Sequence, residues 1–213
     1  MMMCHNAADF PQGRAWIELD RSALLHNVRV LRTLLPKGCE LMPAVKANAY
    51  GHGAALVAGE LQRAGIGSFC VASAAEAVEL RKAGITGEIL ILGYTHPRQF
   101  SLLRHFHLTQ TVLDHDYAEL LNRSGRKIDV HIKIDTGMHR LGERCEHIDH
   151  LKKIFSCENL RITGAYTHLC TSDKSSPREE AFVSVQTQAF YEAIAKLREQ
   201  GCVCPKVHVL ASY

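Results

Sequence analysis

The chain has 213 residues, 46% hydrophobic and 22% charged, an ordinary soluble composition with enough length for a sizeable core. A net charge of +3 argues against a nucleic-acid stripe or an acidic partner, and no window approaches the eighteen apolar residues of a membrane span. Eight cysteines without a Cys-x-x-Cys pair, and no secretory signal, point to a reducing cytoplasmic compartment. Thirteen histidines show no H-E-x-x-H or similar spacing, so no metal site is expected.

Residues 1–13 are poorly patterned and read as a leader or linker. Residues 14–20 alternate like a strand, and Asp20 can cap a helix over residues 21–35 with an apolar stripe of Leu24, Leu25, Val28, Leu31 and Leu35. Pro36 and Gly38 stop that helix, and an apolar strand over residues 41–45 runs into Lys46. Helices are then expected over residues 54–64, 75–83, 98–105, 117–123, 148–156 and 178–199. They alternate with strands over residues 69–72, 88–92, 108–113, 128–135, 160–168 and 206–212.

Short apolar strands alternating with amphipathic helices predict a parallel α/β sheet. Seven strand–helix periods count from the Lys46 strand, one short of a closed (β/α)8 TIM-like barrel. The expectation is a barrel truncated before its eighth strand, with residues 14–213 as one incomplete domain. A doubly wound open sheet is the alternative, but it would begin with a Gly-rich phosphate loop that is absent here.

Three stretches at strand ends carry chemistry. In residues 44–53, Ala-Val-Lys-Ala-Asn-Ala-Tyr-Gly-His-Gly, a lysine ends a strand and Gly51 and Gly53 permit a tight turn before the next helix. Shielded by Val45 and Ala47, Lys46 would lose solvent and become a usable amine nucleophile; a lysine snorkelling from a strand end is the plainer reading. In residues 131–142, His131, Lys133 and Asp135 share one strand face, and Gly137 lets Arg140 fold back as an anion clamp. A solvated edge strand is the competing reading. The third stretch is Gly164-Ala-Tyr-Thr-His-Leu169, which places His168 at a strand end. By contrast, Asp114-His115-Asp116 reads as a helix start that mimics a metal pair, Cys202-Val-Cys204 as a loop, and Ser176 as the cap of the long helix.

The first stretch closely resembles the pyridoxal-phosphate lysine motif of the alanine racemase family. Residues 133–142 resemble that family's Lys-x-Asp-Thr-Gly-Met-x-Arg-Leu-Gly signature, and residues 166–168 its Tyr-Thr-His segment. The resemblance covers residues 14–213 and implies a pyridoxal 5'-phosphate isomerase that racemises a small amino acid, L-alanine or L-serine. By the same resemblance Lys46 holds the cofactor and exchanges the substrate α-proton. Tyr50 and Ser212 hold the phosphate, and Leu92 lines the surroundings of the ring. Lys133 matches a lysine that is often carbamylated and positions Arg140, which contacts the cofactor's phenolic oxygen and the substrate carboxylate. His168 joins the hydrogen-bond network beside the cofactor.

Ala211 stands where typical alanine racemases have asparagine, and the Ala-Ser-Tyr ending looks more like serine/alanine racemases associated with glycopeptide resistance, whose catalytic domain follows a membrane domain. In the family, the opposing base is a tyrosine of a C-terminal β domain supplied by a partner subunit. The resemblance therefore implies a full-length homodimer, and little or no racemase activity from residues 1–213 alone. Two rivals use the same type of barrel, and the first also keeps a Lys46-like lysine. A non-catalytic pyridoxal-phosphate barrel of the cofactor-homeostasis type would lack the Lys133–Arg140 signature, and a basic amino-acid decarboxylase is disfavoured by the same string.

Overall fold

The structure, a computed structural model, describes residues 16–171 and 176–210, with the side chain of Leu210 left aside. The expected leader, Ala211 and Ser212 lie outside the described residues. The strands are β1 (Ser68–Val71), β2 (Glu88–Ile91), β3 (Thr109–Val112), β4 (Ile128–Asp135), β5 (Glu143–Arg144), β6 (Leu160–His168) and β7 (Lys206–Leu210). They form one sheet in the order β1-β2-β3-β4-β6-β7, with β5 paired to β4 off that path, and every pairing is parallel. The helical segments are α1 (Arg21–Leu34), α2 (Lys46–Tyr50), α3 (Ala54–Arg63), α4 (Ala74–Lys82), α5 (Phe100–His105), α6 (His115–Asn122), α7 (Ile148–Phe155) and α8 (Pro177–Glu199). This is the strand–helix alternation of a barrel, curled but not closed among the described residues.

Helix starts follow the cap chemistry of the sequence. Asp20 accepts from the backbone N–H of Ser22 and Ala23, Asp114 from that of Tyr117, and Ser176 and Glu179 complete a reciprocal capping box at the head of α8. Asp114 thus acts as a cap, as its position before α6 suggested.

Three expectations fail. Residues 16–20 form no strand, because they meet no ladder partner among the described residues; Trp16 and Ile17 are exposed. The α1 stripe buries only Val28, with Leu24 packed beside the core and Leu31 49% exposed. The strand before Lys46 shrinks to one bridge, Ala44 to Cys70, in which Val45 N–H donates to Cys70 and Cys70 N–H to Pro43. Pro43 has no N–H to extend the ladder. The two-residue β5 was not expected at all; so short a strand carries no readable alternation.

The alternation within each strand separates two apolar layers. Phe69, Val71, Ile89, Ile91, Val130 and Ile132 face the helices, where Leu80, Leu103, Leu121 and Phe190 meet them, all fully buried. Each such side chain contributes about 1.5–3 kcal/mol. On the opposite, inner face Cys70, Leu90 and Tyr166 form a smaller cluster with Met42 and Leu92. That inner face bears the chemistry.

Candidate active site

The inner face has a polar foot. Lys206 Nζ lies 2.7 Å from Glu88 Oε2, His131 Nε2 lies 3.2 Å from Glu88 Oε1, and His131 Nδ1 is 2.9 Å from His208 Nε2. His131 and, against the opposing effect of burial, Lys206 hold the Glu88 carboxyl down at about 2. Burial and the neighbouring His131 push His208 down to about 3, so it is neutral at physiological pH. The His131 ring lies so close to Gly164 on the next strand that an added Cβ would sit 2.7 Å from its Nε2.

Above this foot stands Tyr166, stacked on His208 with ring centroids 4.9 Å apart and its hydroxyl 3.1 Å from that of Thr111. Lys133 Nζ sits 5.2 Å from the Tyr166 ring centroid. Lys133 is buried, 6% exposed, and its Nζ has no hydrogen-bond partner among the described residues. Burial lowers its pKa to about 8; Asp135 opposes that shift and the Arg140 guanidinium adds to it. More of this amine is therefore neutral near pH 7 than of an ordinary lysine.

Asp135 organises the segment that carries Arg140. Its Oδ1 accepts from the backbone N–H groups of Gly137, Met138 and His139, and its Oδ2 is 2.9 Å from His139 Nδ1. Burial pushes this carboxyl up, but the His139 and Gly137 donors outweigh it and hold the group below the ordinary aspartate range. Arg140 itself is exposed, with its charge acting on both Lys133 and Tyr166. The chain returns through Gly142, where a Cβ would lie 2.7 Å from Lys133 Cγ, and then pairs β5 with the end of β4. The three polar residues of β4 therefore face inward and are buried, against the solvated-edge alternative.

Lys46 occupies the opposite rim. It is half-buried, its Nζ 5.9 Å from the Tyr50 ring centroid, and its charge reaches the buried Cys70 thiol. Burial, reinforced by Glu88 and opposed by Lys46, pushes that thiol up to about 12, so Cys70 is an inert wall. After Lys46 the chain winds left-handed through Ala47, Asn48, Ala49 and Tyr50, all with φ between 50° and 55°. For L-residues this costs roughly 1–2 kcal/mol each. The Glu76 carboxylate helps to hold it, accepting from Ala47 N–H at 2.9 Å and from Ala72 N–H at 2.6 Å, while Asn48 Oδ1 accepts from Ala54 N–H at 2.8 Å. Gly51 and Gly53, at φ 94° and 92°, supply the expected tight turn.

Among the expected site residues, Lys46, Leu92, Lys133, Arg140 and His168 stand at or beyond the C-terminal ends of parallel strands, and Tyr50 closes the turn after Lys46. Leu92 packs against the Tyr166 cluster; His168 is the last residue of β6, half-buried and in register with Leu210. Ser212 lies outside the described residues. Sequence reasoning missed Tyr166, the ring beneath Lys133, and Glu76, the brace of the Lys46 turn. Tyr166 shares the inward parity of Gly164 and His168, which was a usable signal; Glu76 had none. A cleft of about 810 Å³ lies behind the Lys46 turn between α1, residues 41–45 and α3, with Tyr50 but not Lys46 in its wall.

A sequence model described as alanine racemase, N-terminal domain, matches residues 19–213. An amino-acid racemase of Enterococcus faecalis is 42% identical over 200 residues, which is 94% of this chain but 28% of the relative. A serine/alanine racemase of Enterococcus gallinarum is 37% identical, over 95% of this chain and 29% of its own length. An alanine racemase of Geobacter sp. (strain M21) is 36% identical, over 92% and 54% respectively. Among solved structures, an alanine racemase of Bacillus anthracis with bound L-Ala-P superposes with a TM-score of 0.83 at 31% identity, covering 91% of this chain and 51% of that one. The chain thus spans between about a quarter and about half of the length of these proteins.

Proposed function

The chain belongs to the alanine racemase family by its N-terminal domain, and on that premise we propose that the mouth above Tyr166 holds pyridoxal phosphate and serves to racemise alanine or serine. Members of the family are pyridoxal-phosphate isomerases. The observation that carries the reading is the placement, toward the C-terminal ends of strands in one parallel sheet, of a half-buried lysine and of a buried lysine that feels the charge of an arginine and whose amine has no hydrogen-bond partner among the described residues. A planar anionic cofactor fits that donor set, with Leu92 and Tyr166 offering an apolar wall.

Bound pyridoxal phosphate supplies an electron sink that acidifies the substrate α-carbon. Lys46 would hold it through its amine and would carry a proton to or from that carbon. Tyr50 and Ser212 serve the phosphate, Arg140 anchors the substrate carboxylate, and His168 orders the groups beside the ring. Lys133 orients Arg140 after carbamylation: its neutral amine attacks CO₂, an N–C bond forms, and one proton leaves. At pH 7 an amine with its pKa near 8 is roughly a tenth neutral, far more than an ordinary lysine. The product is a carboxylate that supplies an anion to the guanidinium.

On this reading, proton exchange on the other face falls to a tyrosine contributed by a partner subunit in a homodimer. The physiological use is supply of D-amino acids for peptidoglycan precursors or glycopeptide resistance. The Lys133–Arg140 arrangement sets this reading above a barrel that merely stores the cofactor.

The test is a pyridoxal-phosphate titration followed by borohydride reduction and peptide mapping, with Lys46→Ala alongside. A reduced adduct on the Lys46 peptide that is absent from the variant supports the site. Labelling scattered over many lysines and unchanged in the variant, on a chain that circular dichroism finds folded, sinks it.

A further inference from the structure

Immediately past the Arg140 segment, Glu143, His147 and His150 offer one ligand atom each within 4.8 Å of one another. Their backbone is well held. Glu143 sits in β5, paired to Ile134 of β4, and His147 and His150 occupy the cap and first turn of α7. Glu143 is buried, its side chain 10% exposed, and its ion-pair partners among the described residues are these two imidazoles. His147 Nδ1 lies 3.0 Å from Glu143 Oε1 and His150 Nδ1 3.7 Å from Glu143 Oε2. The imidazoles are 48% and 53% exposed, so they can turn, and a cation can reach them from solvent. His115 of α6 bounds the cluster, its ring centroid 6.4 Å from that of His150, and faces Asp116 and Glu119.

We propose that Glu143, His147 and His150 form a binding site for one divalent transition ion, zinc by ligand type, with water completing the coordination. Two imidazoles and one carboxylate are the donor set of an open zinc site. Zinc bonds of about 2.0–2.2 Å bring such atoms to about 3.4 Å apart, a closure that exposed rings on a fixed backbone reach by side-chain rotation. The ion offsets a buried carboxylate that has no lysine or arginine ion-pair partner among the described residues. It also pins α7 to β5 where the Arg140 segment rejoins the sheet, so its occupancy stiffens that return. The site is independent of pyridoxal phosphate, and the sequence spacing that seemed to exclude a metal misses it because the usual motif begins with histidine.

The test uses the tag-free chain, stripped with chelator and titrated with Co²⁺ under visible spectroscopy, then with Zn²⁺ in competition. One equivalent of Co²⁺ with d–d bands displaced by Zn²⁺ is expected in the wild type and in a His26→Ala/His105→Ala control. In His147→Ala/His150→Ala, affinity falls by more than the roughly 10–100-fold that loss of an outer-sphere partner costs. Zn²⁺ raises the unfolding midpoint of the wild type and not of that variant. An equivalent bound unchanged by the double variant, or a wild type that binds neither ion, overturns the proposal. The replaced rings are half-exposed, so the variant folds, and circular dichroism checks it.

Discussion

Lys133 shows how a single residue joins stability to chemistry. Its folded pKa, about 8, lies below the ordinary 10.5. The unfolded chain therefore binds more protons between those values, and the contribution of Lys133 is fully present above 10.5 and lost as pH falls through about 8. In CO₂-free buffer the urea midpoint of the wild type should rise relative to Lys133→Met between these pH values; a constant difference would mean that no charge is being buried. The Lys46 turn gives an unusual sign. At Ala47, with φ at 50°, glycine removes a steric penalty, so Ala47→Gly should stabilise by up to about 1 kcal/mol where a helix interior would lose as much. Glu76→Gln removes one of two backbone acceptors and should cost about 1–3 kcal/mol while reducing reductive labelling of Lys46. Equal labelling in folded Glu76→Gln would reduce Glu76 to a structural brace.

At the scale of elements, β4 and β6 are the spine, and two glycines let their side chains close. Gly164→Ala drives a Cβ into the fully buried His131 ring, and Gly142→Ala drives one to 2.7 Å from Lys133 Cγ at a φ of 115°. Each should cost about 1–3 kcal/mol in chemical denaturation. They should differ in effect: the first loosens the foot around Glu88, the second displaces the Arg140 segment and weakens cofactor uptake. Helix starts and the spans of β4 and β6 were legible because caps and alternation are local. The strand before Lys46 and β5 were misread because a ladder needs a partner, and Pro43 or a two-residue length leaves no local trace of it. Exposure of the α1 stripe had the same cause: periodicity marks an apolar face but not what covers it.

For the molecule as a whole, a ligand that binds only the folded state raises stability by mass action, about 2.7 kcal/mol at a hundred times its dissociation constant. Pyridoxal phosphate should accordingly raise the unfolding midpoint of the wild type and leave Lys46→Ala nearly unmoved; an equal rise in both would mean binding outside the Lys46 mouth. Among the described residues no helix is long and apolar enough to cross a membrane.

Strand–helix order, the parallel sheet, the cap residues and the three strings at strand ends were determined by the sequence itself, since periods of 2 and 3.6 and cap chemistry act between near neighbours. Only the tertiary structure decided that Tyr166 packs between His208 and Lys133, that Lys133 is buried without a hydrogen-bond partner among the described residues, that Glu76 braces a left-handed turn, and that two histidines gather at a buried glutamate. Those facts depend on desolvation and on contacts between segments far apart in the chain, which parity along one strand does not encode.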